Sequence, residues 1–263
     1  MLVSLLALPV RSLFQTRPPD PAPTVEPVRT EFPQIEGVEM SALFFGKRIA
    51  GDFYDSIRVS PERILLGLLD VAGRREDNRG ILAAAQNIFR TLGSELFAKS
   101  DLNESEAMTE LCHLLNRGIM EAAGGVHTCV AFLGCYHQDF GTLCYTNAGH
   151  TSGLLHDHTG TIELASTGLP LGLFSHATSE SPTVGLEKGA ALLLVSRGVV
   201  DARCKAKKVD PEFGLERAKQ CLQDNSSLRA APLCSSVLRA VADFMCEPPL
   251  HDDVTALAFV RTA

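Results

Sequence analysis

The sequence has no tryptophan, and aromatic residues make up only 6% of its 263 positions. So few flat rings argue against a surface that stacks sugars or bases. A basic surplus is also missing: 24 Lys and Arg stand against 31 Asp and Glu, a formal net charge of −7. Binding nucleic acid through released counterions needs the opposite balance, so that class is excluded. None of the eight cysteines (112, 129, 135, 144, 204, 221, 234 and 246) forms a C-x-x-C pair, which removes zinc ribbons and fingers. Most of them lie in apolar runs such as Cys129 to Cys135, which predicts reduced thiols packed in the core of a cytoplasmic protein. The eight histidines show neither H-E-x-x-H nor paired spacing, so a histidine metal site is not expected.

No segment is long and apolar enough to predict a membrane span. The apolar start, Met1 to Val10, lacks a basic flank and is cut by Pro9, which favours a short terminal helix or a misassigned start over secretion. Pro18, Pro19, Pro21, Pro23, Pro27 and Pro33 then mark an extended, poorly packed arm. The division expected is an apolar N-terminus with a proline-rich arm over 1–33 and one domain over 34–263. Any sensory input is then expected to come from a separate protein. The sequence carries no signal for an oligomeric state.

Within 34–263, strand composition marks 38–45, and Arg63 to Leu69 is a short apolar run with Asp70 at its tip. Ile81, Ala84, Ala85, Ile88, Phe89, Leu92 and Leu96 recur at helical spacing and predict a helix over 77–99; a similar stripe predicts another over 104–122. Strands are expected at about 127–137, 141–147, 151–156, 189–196 and 254–260, and helices at 212–223 and 230–246. Strands, a helix pair, then more strands do not alternate as in a Rossmann fold. They point to an α+β protein whose mainly antiparallel sheets carry helices on their outer faces.

Carboxylates near strand ends are the chemical signal. Asp52 and Asp55 are expected in a glycine-led loop, Asp70 ends a greasy strand, and Asp252 and Asp253 precede the last one. A carboxylate at the end of an apolar strand is costly to desolvate unless a positive group meets it. Converging carboxylates suit magnesium or manganese, which prefer oxygen ligands. Taken singly, each aspartate is better read as a turn cap.

Their surroundings add to this. Ala50-Gly-Asp-Phe-Tyr-Asp55, Leu69-Asp-Val-Ala-Gly73, Thr146-Asn-Ala-Gly-His150, Gly168-Leu-Pro-Leu-Gly-Leu173, Gly198-Val-Val-Asp-Ala202, Phe213-Gly214 and Asp252-Asp-Val-Thr255 follow one another in order. The set resembles the bacterial PPM-type serine/threonine phosphatases, in the branch of the sporulation stage II E protein and the sigma-factor-regulating phosphatases. The resemblance spans roughly 34–260. It implies a PPM-phosphatase-like β-sandwich of two mainly antiparallel sheets flanked by helices, with Mn2+ or Mg2+ at one edge activating water against a phosphoserine or phosphothreonine. By position it implies Asp52, Asp70, the Val71 carbonyl and Asp252 as metal ligands, with Asp253 beside them. The implied substrate is a phosphorylated protein such as an anti-sigma-factor antagonist. His150 is read as a turn histidine satisfied by backbone.

Two positions depart from that pattern. Where the resemblance leads one to expect an Asp-Gly ligand pair, the chain has Arg197-Gly198, and Gly73-Arg-Arg75 stands in place of Gly-His-Gly. A guanidinium cannot ligate a cation. It can pair with Asp70 and Asp252 in place of one metal, or clamp a substrate phosphate in two-pronged fashion. Two readings follow: an active metal-dependent phosphatase with Arg197 as phosphate clamp, or a pseudophosphatase that keeps the fold to bind a phosphoprotein or partner.

Overall fold

The computed structural model describes residues 30–45, 51–176, 178–204, 212–245 and 252–262. The apolar N-terminus, the proline arm up to residue 29 and Cys246 lie outside the described residues.

Ten strands form two five-stranded sheets. The first holds β1 (Val38–Phe45), β6 (Gly153–Asp157), β7 (Gly160–Leu164), β9 (Ala191–Val195) and β10 (Val254–Arg261), in the order β1-β10-β9-β6-β7. The second holds β2 (Asp52–Arg58), β3 (Arg63–Val71), β4 (Cys129–His137), β5 (Thr142–Ala148) and β8 (Thr183–Gly185), in numerical order. Every named pairing is antiparallel.

The period-2 alternation of a strand explains why both faces of the inner strands are greasy. On β3, Ile64, Leu66 and Leu68 point into the space between the sheets, where they join Phe132, Tyr136, Leu192, Leu194, Leu257 and Phe259. The alternate residues Leu65 and Leu69 face outward against α1 (Arg79–Phe97) and α2 (Glu104–Ala123), meeting Leu82, Phe89, Met108 and Leu111. On β10 the outward positions are small, Ala256 and Ala258, and α5 (Ala230–Phe244) lies on them through Leu233, Val237 and Val241. Beside it α4 (Gly214–Asp224) contributes Leu222. The layers run helix, sheet, sheet, helix, the sandwich that the sequence predicts. Burying each large apolar side chain contributes roughly 1.5–3 kcal/mol.

The expected helices and strands fall within a few residues of their observed bounds. Three elements were not expected: β7, β8 and the four-residue α3 (Arg197–Val200). The glycine-led loop expected to hold Asp52 and Asp55 is instead strand β2. Pairing with β3 overrides its polar composition. The end of the proline arm is better packed than expected. The Thr30 hydroxyl donates to the Tyr54 carbonyl at 2.7 Å, and the Phe32 ring stacks on Tyr54 at 6.0 Å.

Cys112, Cys129, Cys135, Cys144 and Cys234 are buried free thiols and Cys221 is a half-buried one. Cys204 departs from the expectation of reduced thiols, because it is disulfide-bonded. Disulfide partners need meet only in space, so sequence spacing gave no sign of it.

Candidate functional site

The expected carboxylates converge where the ends of four strands meet. In the β2–β3 ladder Asp52 lies directly opposite Asp70. Gly51 allows this closeness: a Cβ there would sit 1.8 Å from the Val71 carbonyl oxygen. The Val71 N–H donates to the Gly51 carbonyl at 3.2 Å and extends the ladder by one rung. From the other sheet, Asp253 accepts the Asp52 N–H on Oδ2 at 3.2 Å. The Asp253 N–H in turn donates to Asp252 Oδ1 at 2.9 Å. One hydrogen bond thus ties the start of β2 to the turn before β10.

Asp52 is fully buried, and neither carboxylate oxygen has a hydrogen-bond partner. Desolvation, then the charge of Asp70, pushes its pKa well above the carboxylate range. The Ser196 and Thr255 hydroxyls lie near enough to favour the ionised form, but neither completes a hydrogen bond to it. Burial also pushes Asp70 up, to about 6; the charges of Asp252 and Asp253 add to this and Arg197 opposes it. Asp252 is raised for the same leading reason, with Arg197 again opposing. Among the described residues no three His, Cys, Asp or Glu side chains form a ready metal-holding group. The aspartates are instead neighbours that repel one another.

Such a group of oxygens suits a hard divalent cation. An orphaned, buried carboxylate is among the costliest groups a fold can carry, and a cation removes that cost. The donor set therefore fits manganese or magnesium.

Arg197 opens α3 immediately after Ser196. Ser196 is fixed three ways: its N–H donates to the Thr255 carbonyl, its hydroxyl donates to the Asp253 carbonyl, and it accepts the Thr255 N–H, all at 3.0 Å. The Arg197 side chain is two-thirds exposed and its ion pair, at 3.3 Å, is with Asp201. The direct pairing with Asp70 and Asp252 considered from sequence is therefore corrected: the guanidinium reaches them as a nearby charge, while the geometry of a helical turn gives it Asp201 as partner.

Asp55, the other aspartate of β2, has a structural task. Arg90 of α1 grips it with Nε at 2.7 Å and Nη2 at 3.0 Å, and Gln86, the Ser56 N–H and the Thr30 hydroxyl also donate to it. His150 is buried, with Nδ1 3.1 Å from the Thr151 carbonyl and Nε2 unpartnered. Desolvation lowers its pKa to about 4, so at neutral pH it holds no proton to give as a cation.

Sequence reading gave no role to several residues that shape the site. Arg75 donates to the Asp52 carbonyl at 3.1 Å. Asn78 donates to the Ala72 carbonyl at 2.9 Å and to the Val71 carbonyl at 3.4 Å. The His127 ring lies 2.8 Å from the Ala72 carbonyl through Nε2. These three hold the turn that follows Asp70. Asp201 was detectable in principle, because it stands four residues after Arg197.

The family described as Stage II sporulation protein E (SpoIIE) matches residues 60–262. Phosphoserine phosphatase RsbU of Bacillus subtilis is 25% identical over 242 residues, covering 88% of this chain and 66% of RsbU. The chain thus spans just under two thirds of that relative. The solved SiaA-PP2C domain of Pseudomonas aeruginosa superposes with a TM-score of 0.69 at 19% identity, covering 84% of this chain and 85% of that domain. The crystal structure of RsbX in complex with magnesium gives 0.60 at 14% identity, with 88% and 98% covered. These two structures bear out the sandwich fold.

Proposed function

The chain belongs to the stage II sporulation protein E family, and from that premise we propose that it is a metal-dependent phosphoprotein phosphatase, acting on phosphoserine or phosphothreonine, of the sigma-factor-regulator type. The observation that carries this reading is the buried, unpartnered Asp52 carboxylate facing Asp70 across β2 and β3. RsbU is named a phosphoserine phosphatase, and that likeness supports the chemistry.

Asp52, Asp70, the Val71 carbonyl and Asp252 hold Mn2+ or Mg2+ in this reading. A bound divalent ion supplies Lewis acidity, making water a stronger nucleophile and neutralising phosphoryl oxygens. The chain's own residues do the rest. Asp253, through the Asp52 N–H, and Arg75, through the Asp52 carbonyl, fix the peptide that carries the most buried ligand. Arg197, exposed at the rim, clamps the substrate phosphate with its planar fork of donors. His150, which burial keeps neutral, supplies no imidazolium proton. The pseudophosphatase alternative draws no support from RsbU, which is named a phosphoserine phosphatase.

The substrate class is a phosphorylated protein; an anti-sigma-factor antagonist fits the family resemblance. The test is release of phosphate from a phosphoserine protein with added manganese, which the Asp70→Asn variant should lose. An unchanged rate in that variant refutes the assignment.

A further inference from the structure

The carboxylates divide into two groups that share Asp70. On one side Asp52 faces Asp70, and its carboxyl is pushed up by burial and by the charges of Asp70 and Asp253, with Arg75 holding its backbone carbonyl at 3.1 Å. On the other side Asp252 feels three charges, Arg197, Asp253 and Asp201, and Asp70 feels Arg197 as well. Arg197 pairs with Asp201 at 3.3 Å. Backbone packing fixes this arrangement. A Cβ on Gly198 would lie 2.1 Å from the Asp253 carbonyl oxygen and 3.4 Å from the Asp252 Cβ, so the start of α3 is pressed against the turn before β10. The root of the Arg197 side chain is therefore held beside the turn that carries Asp252, and its head pairs with Asp201.

We propose that Arg197 is a tethered cation at the rim of a second acidic position edged by Asp70, Asp201 and Asp252, so that the protein holds one divalent ion, on the Asp52 side, instead of two. The inference rests on the metal-dependent reading above and deepens it. Phosphoryl-transfer sites commonly use a pair of divalent ions about 3.5–4 Å apart. A permanent positive charge beside such a site repels a second ion, and Arg does not lose its proton to relieve the repulsion. The three-way anchoring of Ser196 keeps the guanidinium's root in place. Asp52, whose buried oxygens have no partner, is left as the group that most needs the remaining ion.

The experiment counts manganese bound per full-length chain by equilibrium dialysis and records its electron paramagnetic resonance spectrum. Four proteins are compared: wild type, Arg197→Ala, Arg197→Lys, and Arg197→Ala combined with Asp201→Asn. Thermal melts show that each is folded. Wild type should bind one ion with the signal of isolated manganese. Arg197→Ala should bind two, with the spectrum of a coupled pair. Arg197→Lys keeps a tethered charge and should stay at one, and adding Asp201→Asn to Arg197→Ala should return the count towards one. Two ions in wild type, or one in Arg197→Ala, overturns the tethered-cation proposal and leaves the phosphatase reading standing. No bound manganese in folded wild type overturns the metal-holding site itself and this inference with it.

Discussion

Asp52 and Asp70 lie directly opposite each other on adjacent antiparallel strands, the first fully buried with both carboxylate oxygens unpartnered, the second pushed up to about 6 by the same burial. Opposed like charges destabilise a ladder. Here the ladder is kept by backbone pairing and by the grip of Asp253 on the Asp52 N–H. The arrangement is costly for the metal-free fold and suited to a cation.

One consequence is a trade between stability and binding. Replacing Asp52 by Asn removes a buried group that resists ionisation. The metal-free variant should melt at a higher temperature than metal-free wild type, while manganese should no longer raise its melting temperature. Calorimetry with chelator and with manganese checks both halves; a lower melting temperature for metal-free Asp52→Asn contradicts the account.

A second consequence is pH-dependent. The folded pKa of Asp70 is raised from 3.8 to about 6, so between those values the native state holds a proton that the unfolded chain has lost. Stability from this group is therefore present at low pH and is lost as pH rises through about 6. Urea titrations in chelator should show wild type gaining about 1 kcal/mol over Asp70→Asn on going from pH 7 to pH 5. Comparing the two proteins cancels His150, whose depressed pKa works in the other direction. Protons also compete with the metal, so manganese affinity should weaken over the same range.

The Asp55–Arg90 pair makes a separate prediction about structure. Asp55 is fully buried and Arg90 supplies both prongs of its ion pair. Arg90→Met leaves a buried carboxylate with only neutral partners and should cost about 3–5 kcal/mol. Because Asp55 lies on β2 with Asp52, activity should fall with stability, and lowering the temperature should recover part of it. Full stability in Arg90→Met would show that the pair is dispensable.

Much of the fold was legible because its apolar patterning is strong. Leu65 and Leu69 alternate with Ile64, Leu66 and Leu68, and the stripes of α1 and α2 follow a helical period. What escaped were elements whose stability is tertiary. Strand β2 is rich in Asp and is a strand because β3 pairs with it; β7 and β8 are short edge strands with few buried residues. The aspartates were legible as one set through the family resemblance, but their contacts were not. Asp52 and Asp253 are 201 positions apart, and only the fold brings them within a hydrogen bond. Arg197 was visible as an unexpected charge, but its pairing with Asp201 needed the helical turn of α3.

The most direct test of the central claim is steady-state release of phosphate from a phosphoserine protein by the full chain, with and without manganese, for wild type and Asp70→Asn. The account predicts manganese-dependent turnover in wild type and a loss of at least about a thousandfold in kcat/KM for the variant, about 4 kcal/mol of transition-state stabilisation. Wild type that releases no phosphate at any manganese concentration, or Asp70→Asn that matches it, contradicts the claim.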